Sequence, residues 1–250
     1  MNIKKTYYMN EIIYGFHAIN ALFHHNPSCF NHIFIINNNK NERISLLIQA
    51  VQLKGIKIYS TNKIELNKIT NFAAHQGIAA NIKVYNTHYN KINDIYKLKT
   101  PLLLILDNIT DPQNLGACLR TANAAGVDAV IIPKHKSATL NGVARKVACG
   151  AADYTPLITV NNLTNTIIKL KNIVNIIGAT SDAINTIYES QLTTGIAIIM
   201  GSEHKGIRPS IKKYCDCLMR IPMYGNISSL NISVATAICL YEAIRQRKSL

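Results

Sequence analysis

Residues 104–132 read LILDNITDPQNLGACLRTANAAGVDAVII, which is strand, polar loop, helix, glycine stop and second strand in order. The first strand begins at Leu102, and Leu102–Leu106 is apolar at every position, where a half-exposed strand would alternate. Such a run belongs to a strand covered on both faces, as in a parallel sheet. Further runs of this kind stand at Ala129–Ile132, Val174–Ile177 and Ile196–Met200, with helical stretches between them. The alternation predicts an α/β unit built on a parallel sheet with crossover helices. Within the first crossover Asn114 is placed to cap the helix, Gly126 to end it, and Arg120 falls inside it. Taken alone, this is an ordinary crossover with a solvent-facing arginine. Parallel strands alone would suggest a nicotinamide-dependent dehydrogenase, but no GxGxxG follows Leu106.

Upstream, the pattern is also mixed. Tyr14–Phe23 (YGFHAINALF) reads as a helix after a glycine turn, Ile33–Ile36 as a strand, Arg43–Leu53 as a helix, Ile56–Tyr59 as a strand before a Ser-Thr-Asn turn, and Gly77–Val84 as a strand. Tyr89–Thr100 is polar and ends at Pro101. The expected organisation is a small α/β domain over 1–88, a linker over 89–100 and the parallel-sheet domain over 101–250.

Charge narrows the partner. The chain has 27 Lys and Arg against 13 Asp and Glu, a formal +14. Both halves contribute, so the excess is no basic tail on a neutral body. A polyanion is one explanation and lysine-maintained solubility the other. The six cysteines form no CxxC pair, and no histidine cluster accompanies them at zinc spacing, so no metal site is expected. Free thiols point to a reducing compartment. Asn10 and Glu11 interrupt any apolar stretch at the start, and no run of about 18 uncharged apolar residues occurs, so neither a signal peptide nor a membrane span is expected. The chain reads as cytoplasmic.

Two further stretches could carry chemistry. Ile198–Pro209 (IIMGSEHKGIRP) is a buried strand running into a loop, where Gly201 and Gly206 allow close backbone approach to a ligand. Glu203 is its carboxylate, and pairing with Lys205 or Arg208 is the plainer explanation of it. Ile221–Arg247 (IPMYGNISSLNISVATAICLYEAIRQR) sets Asn226, Ser228, Ser229 and Asn231 before a helix whose apolar positions Leu230, Val234, Ile238 and Tyr241 step by three and four. Ser228 or Ser229 would suffice as N-cap, so the surplus of polar groups hints at a site.

Together, Asn114-Leu-Gly with Arg120, Gly201-x-Glu203-x-x-Gly206, and Ile221-Pro-Met with Ser229-Leu-Asn231 resemble the three signature motifs of the SpoU (TrmH-type) class of the SPOUT RNA methyltransferase superfamily. The resemblance covers Pro101–Leu250. YGFHAINALF and Ala74-His75-Gln76-Gly77 are similar to the RlmB-type branch, which modifies a guanosine ribose in 23S rRNA. The resemblance implies a parallel sheet with a C-terminal trefoil knot, S-adenosylmethionine as cofactor, and a homodimer with the knot region at its interface. It places Gly201, Ile221, Leu230, Thr180 and Met200 around the cofactor, and Asn114, Arg120, Glu203, Ser229 and Asn231 at the reacting ribose.

A 2′-hydroxyl attacks poorly until its proton is withdrawn or strongly hydrogen-bonded. Arg120 carries no spare acceptor and stays protonated, so its expected part is to grip the phosphate or ribose while the proton leaves to a phosphate oxygen or water. Asn231 and Ser229 would orient the hydroxyl or the knot backbone, and Glu203 would fix the loop or position Asn114. His204 and Lys205 depart from the family pattern, which touches local RNA contacts more than activity. The alternatives are a tRNA ribose methyltransferase of the same class and a non-catalytic RNA-binding protein. The former usually has a shorter N-terminal part, and the latter needs none of the five polar positions.

Overall fold

The computed structural model describes residues 9–37, 41–84, 92–202 and 205–248. Its first unit runs β1 (Met9–Tyr14), α1 (Phe16–His25), β2 (Phe30–Ile36), α2 (Glu42–Leu53), β3 (Lys57–Thr61), α3 (Lys63–Ile69) and β4 (Ile78–Val84). The sheet order is β1-β4-β2-β3, with β4 antiparallel to both neighbours and β3 parallel to β2. One face packs Ile13, Ile33 and Ile78 against Ile19, Leu22 and Phe23 of α1 and Ile44, Leu47 and Val51 of α2. The other face is covered at one end, where Leu66 of α3 meets Tyr14 and Ala79.

Two of these elements were not expected. Of the Ser-Thr-Asn stretch expected as a turn, Ser60 and Thr61 end β3, and Asn62 accepts the Glu65 N–H at 2.9 Å and caps α3. β1 takes its shape from pairing with β4, a partner some seventy residues away in sequence. Gly15, at φ 89°, turns the chain from β1 into α1.

The second unit begins with a short helix, α4 (Ile92–Ile95), inside the stretch expected as linker, and Ile95 is buried in the core. There follow β5 (Leu102–Leu106), α5 (Pro112–Ala124), β6 (Ala129–Pro133), α6 (Gly142–Ala148), α7 (Ala151–Tyr154), β7 (Leu157–Val160), α8 (Leu163–Leu170), β8 (Asn175–Ala179), β9 (Ile196–Met200), α9 (Pro209–Lys212), β10 (Cys217–Met219) and α10 (Ile232–Lys248). The six strands lie in the order β10-β8-β9-β5-β6-β7, and every pairing is parallel. All five residues of β5 are buried, as a central strand requires. From β5 the sheet grows one way to β6 and the other way to β9. In such sheets ligands bind beyond the carboxyl ends of the strands.

Two helix starts differ from the sequence reading. Asp111 caps α5, accepting from Gln113 N at 3.0 Å with Pro112 at the first helical position, so Asn114 sits in the first turn. Asn231, rather than Ser228 or Ser229, caps α10: its Oδ1 accepts from Ser233 N at 2.9 Å and its carbonyl from Ala235 N at 3.0 Å. α10 buries Ile232, Thr236, Cys239, Leu240 and Ala243. On the apolar stripe read from spacing, Val234 is 48% and Tyr241 51% exposed, while Ile238 packs against the core. Apolar residues lie on both sides of this helix, so spacing alone favoured neither face.

The two units meet where α6 crosses β1. A Cβ at Gly142 would lie 2.7 Å from the Ile12 carbonyl oxygen, so only glycine permits this approach. Next to it Arg145 pairs with Asp153 at 2.8 Å and stands 3.8 Å from Glu11. Burial raises the pKa of both carboxyls, with the Arg145 charge opposing it.

Candidate active site

Beyond the carboxyl ends of β8, β9 and β10 lies a cleft of about 860 Å³, walled by Thr180 and Asp182 after β8, residues 200–202 and 205–207 at and after the end of β9, Arg220 and Ile221 after β10, and Ser228–Leu230 before α10. The loop after β9 is a tight reversal: Ser202 N donates to Gly206 O at 3.1 Å and Gly206 N to Ser202 O at 2.8 Å. A Cβ on Gly201 would meet the Gly206 carbonyl carbon at 2.1 Å, so this wall is backbone against backbone.

Buried charge holds the loop to the sheet. Asp107, fully buried at the end of β5, accepts from Arg208 N at 3.0 Å and Arg208 Nε at 2.8 Å and pairs with its terminal nitrogen at 2.7 Å. A carboxylate without water needs such multiple donors. On the opposite wall Lys212 pairs with Asp182 at 2.6 Å. The Lys212 hydrogen bond, then that from the Thr180 hydroxyl, lowers the Asp182 pKa to about 2.

Thr180, Met200, Gly201, Ile221 and Leu230 all line this cleft, and so does Ser229. Asn231 follows directly, and its Nδ2 donates to Asn114 Oδ1 at 3.0 Å, joining the starts of α5 and α10. Thus residues from four separated stretches come together at the cleft and its edge. Arg120 is not brought to the cleft: it is exposed on α5, with its guanidinium 3.6 Å from the Cys149 sulfur. Six positions after Asn114, it lies well round the helix from it and about 9 Å along the axis. Glu203 and His204 lie outside the described residues.

The sequence reading passed over Asp107, Asp182, Lys212 and Arg220. Asp107 had a signal, an acid closing a fully apolar strand. The pairing of Asp182 with Lys212, 30 residues apart, had none. Among the described residues no group of three or more His, Cys, Asp or Glu could hold a metal ion. Burial pushes the Cys215 thiol up to about 11, so it stays protonated.

The model of the SpoU rRNA Methylase family matches residues 101–241, the part that carries the sheet and the cleft. The chain belongs to the SpoU rRNA methylase family. Residues 12–88 match a second model, described as RNA 2′-O ribose methyltransferase substrate binding. The 23S rRNA (guanosine-2′-O-)-methyltransferase RlmB of Escherichia coli K12 is 47% identical over 242 residues, spanning 96% of this chain and all of that protein. Its counterpart in Photorhabdus laumondii is 46% identical over 244 residues, with the same coverage. Among solved structures, the SpoU methyltransferase AviRb from Streptomyces viridochromogenes, in complex with AdoMet, aligns with a TM-score of 0.81 over 96% of this chain and 92% of its own, at 19% identity. At that identity the likeness speaks for the fold of this SpoU-family chain.

Proposed function

We propose that this protein transfers a methyl group from S-adenosylmethionine to the ribose 2′-hydroxyl of a guanosine in 23S rRNA. The observation that carries the reading is the 46–47% identity, over the full length of each relative, to RlmB proteins of that activity. The cleft supports it. Its volume suits a ligand of that size. Met200, Ile221 and Leu230 give it apolar walls for an adenine, and Lys205, Lys212 and Arg220 line it as cations for the cofactor's carboxylate. The close contact of Gly201 with Gly206 leaves main-chain groups to bind and orient the cofactor. When bound, the cofactor supplies an electrophilic methyl on a sulfonium.

The chain's own groups prepare the acceptor. Asn114 and Asn231, held by each other, and Ser229 at the cleft wall present hydroxyl and amide groups that orient the ribose. Arg120, exposed on α5 outside the cleft, is assigned to an RNA phosphate as a fixed cation, since a guanidinium has no lone pair to accept a proton. The proton therefore leaves to a phosphate oxygen or water. Glu203 is assigned to the loop that frames the cleft.

The same reading assigns 1–88 to RNA binding and 101–250 to methyl transfer, with a trefoil knot at the C-terminal end. It includes a homodimer, for which the exposed Val234 and Tyr241 of α10 supply an apolar face. No described helix is long and apolar enough to cross a membrane, and the substrate would be met in the cytoplasm. The test is to incubate the protein with labelled S-adenosylmethionine and 23S rRNA lacking its modifications, then map the label. One labelled guanosine is expected. Tight RNA binding without transfer would support a non-catalytic RNA-binding protein, and preferential labelling of tRNA the tRNA branch.

A further inference from the structure

The face of the first sheet that α1 and α2 leave uncovered presents a cluster of rings. By register, His32 lies opposite Lys57 and Asn81, and Phe34 opposite Tyr59 and Ala79. The His32 ring stands edge-on to Phe34 at 4.8 Å and to Tyr59 at 5.2 Å, and Phe34 and Tyr59 are tilted by 33° at 5.9 Å. Tyr59 is 47% exposed. Burial, then the Lys57 charge, lowers the pKa of His32, so its ring is neutral near pH 7.

Amides and cations surround the rings. A bulge in β2 between Phe30 and His32 turns Asn31 onto this face, where its Nδ2 donates to Asn81 Oδ1 at 2.6 Å and Asn10 Oδ1 at 3.1 Å. A depression of about 580 Å³ opens beside the rings, lined among others by Asn31, Lys54, Lys57 and Tyr59. α3 covers the rest of the face, where Leu66 packs with Tyr14 and Ala79 and Phe34 leans on the same cluster. At that covered end Lys146 of α6 stands 5.9 Å from the ring centroid of the buried Tyr14. α6 packs directly on α5, with Gly116 against the Ala144 carbonyl, and α5 carries Asn114 and Arg120.

We infer that this open face is a stacking platform for unpaired nucleobases of the RNA substrate, with Tyr59 and His32 as the stacking rings and Lys54 and Lys57 meeting the adjoining phosphates. An exposed tyrosine ring beside the half-buried His32, flanked by amides and cations on a four-stranded sheet, suits single-stranded RNA, whose splayed bases stack while the backbone runs along positive charge. A duplex offers no free base faces there. The formal +14 of the chain favours this occupant over another basic surface, including a second copy of the same face. The inference rests on the RNA-methylating function and names where the acceptor strand is held before it reaches the cleft.

The test compares the full chain with Tyr59→Ala, the double variant His32→Ala/Tyr59→Ala, and Tyr59→Phe. Binding is read with a fluorescein-labelled single-stranded adenosine dodecamer and with a twelve-base-pair RNA duplex, and turnover with unmodified 23S rRNA. Tyr59→Ala should weaken dodecamer binding about tenfold and the double variant more. Duplex binding should stay unchanged, and Tyr59→Phe should behave as wild type. KM for rRNA should rise with kcat unchanged. Wild-type dodecamer binding in both alanine variants, with an unchanged melting temperature, overturns the platform. So does equal weakening of duplex binding, or conversion of a dimer to a monomer by Tyr59→Ala. Ring-dependent dodecamer binding in a protein that transfers no methyl would sustain the platform and refute the methylation reading instead.

Discussion

Asn231 and Asn114, 117 residues apart in the chain, are joined by a 3.0 Å hydrogen bond from Nδ2 to Oδ1. The same Asn231 side chain accepts from the Ser233 N–H and hydroxyl, so one residue both starts α10 and ties it to α5. Its two parts can be separated.

Asn231→Ser keeps a good helix cap but is too short to reach Asn114. We expect the melting temperature to change little and methyl transfer to fall about tenfold or more, the loss of one well-placed hydrogen bond. Asn231→Ala should lose about 1 kcal/mol of stability in addition, as caps do. Equal activity in Asn231→Ser and wild type would show that the tie to Asn114 has no part in the reaction.

Gly201→Ala places a methyl against the Gly206 backbone, which cannot rotate away as a side chain could. The Ser202–Gly206 reversal must open. Overpacking of this kind costs about 1–3 kcal/mol, and calorimetry should show S-adenosylmethionine affinity lowered about tenfold or more. Unchanged affinity would mean the loop does not frame the cofactor.

Arg120→Lys keeps the charge and loses the planar fork, so a positional role predicts a large loss of turnover at every pH. Near-normal turnover with an optimum moved to basic pH would instead assign proton transfer to this position, because a lysine pKa is readily lowered.

The interdomain cluster predicts a pH dependence. Glu11 and Asp153 have pKa values raised in the fold, so the folded protein binds protons more readily than the unfolded chain. Their contribution to stability is therefore full below the ordinary carboxyl range and falls as pH rises through the raised values. Glu11→Gln, neutral at every pH, should flatten the melting-temperature profile above about pH 4.5. An unaltered profile would remove Glu11 as a source of that dependence.

What was legible in the sequence follows from how far each signal reaches. The central strands were plain because burial on both faces writes itself as unbroken apolar runs, as in Leu102–Leu106 and Ile196–Met200. β10 has only three residues and β1 mixes polar with apolar positions, and both are held by distant partners, so nothing local marks them. In the site, glycine spacing pointed to the loop after β9, whose close backbone contact is a local property. The capping of α5 by Asp111 was open to local reasoning through Pro112, yet Asn114 drew that role because it is also a good cap residue. That Val234 and Tyr241 of α10 are exposed while Ile238 packs inward depended on what lies against the helix, which spacing cannot report.

The ribose hydroxyl is the acceptor, and its product is chemically distinct from a methylated base. Label transferred from S-adenosylmethionine to unmodified 23S rRNA should survive alkaline hydrolysis in a dinucleotide that begins with guanosine, because a 2′-O-methyl group blocks cleavage of the adjoining phosphodiester. Label recovered in mononucleotides would place the methyl on a base and contradict the account.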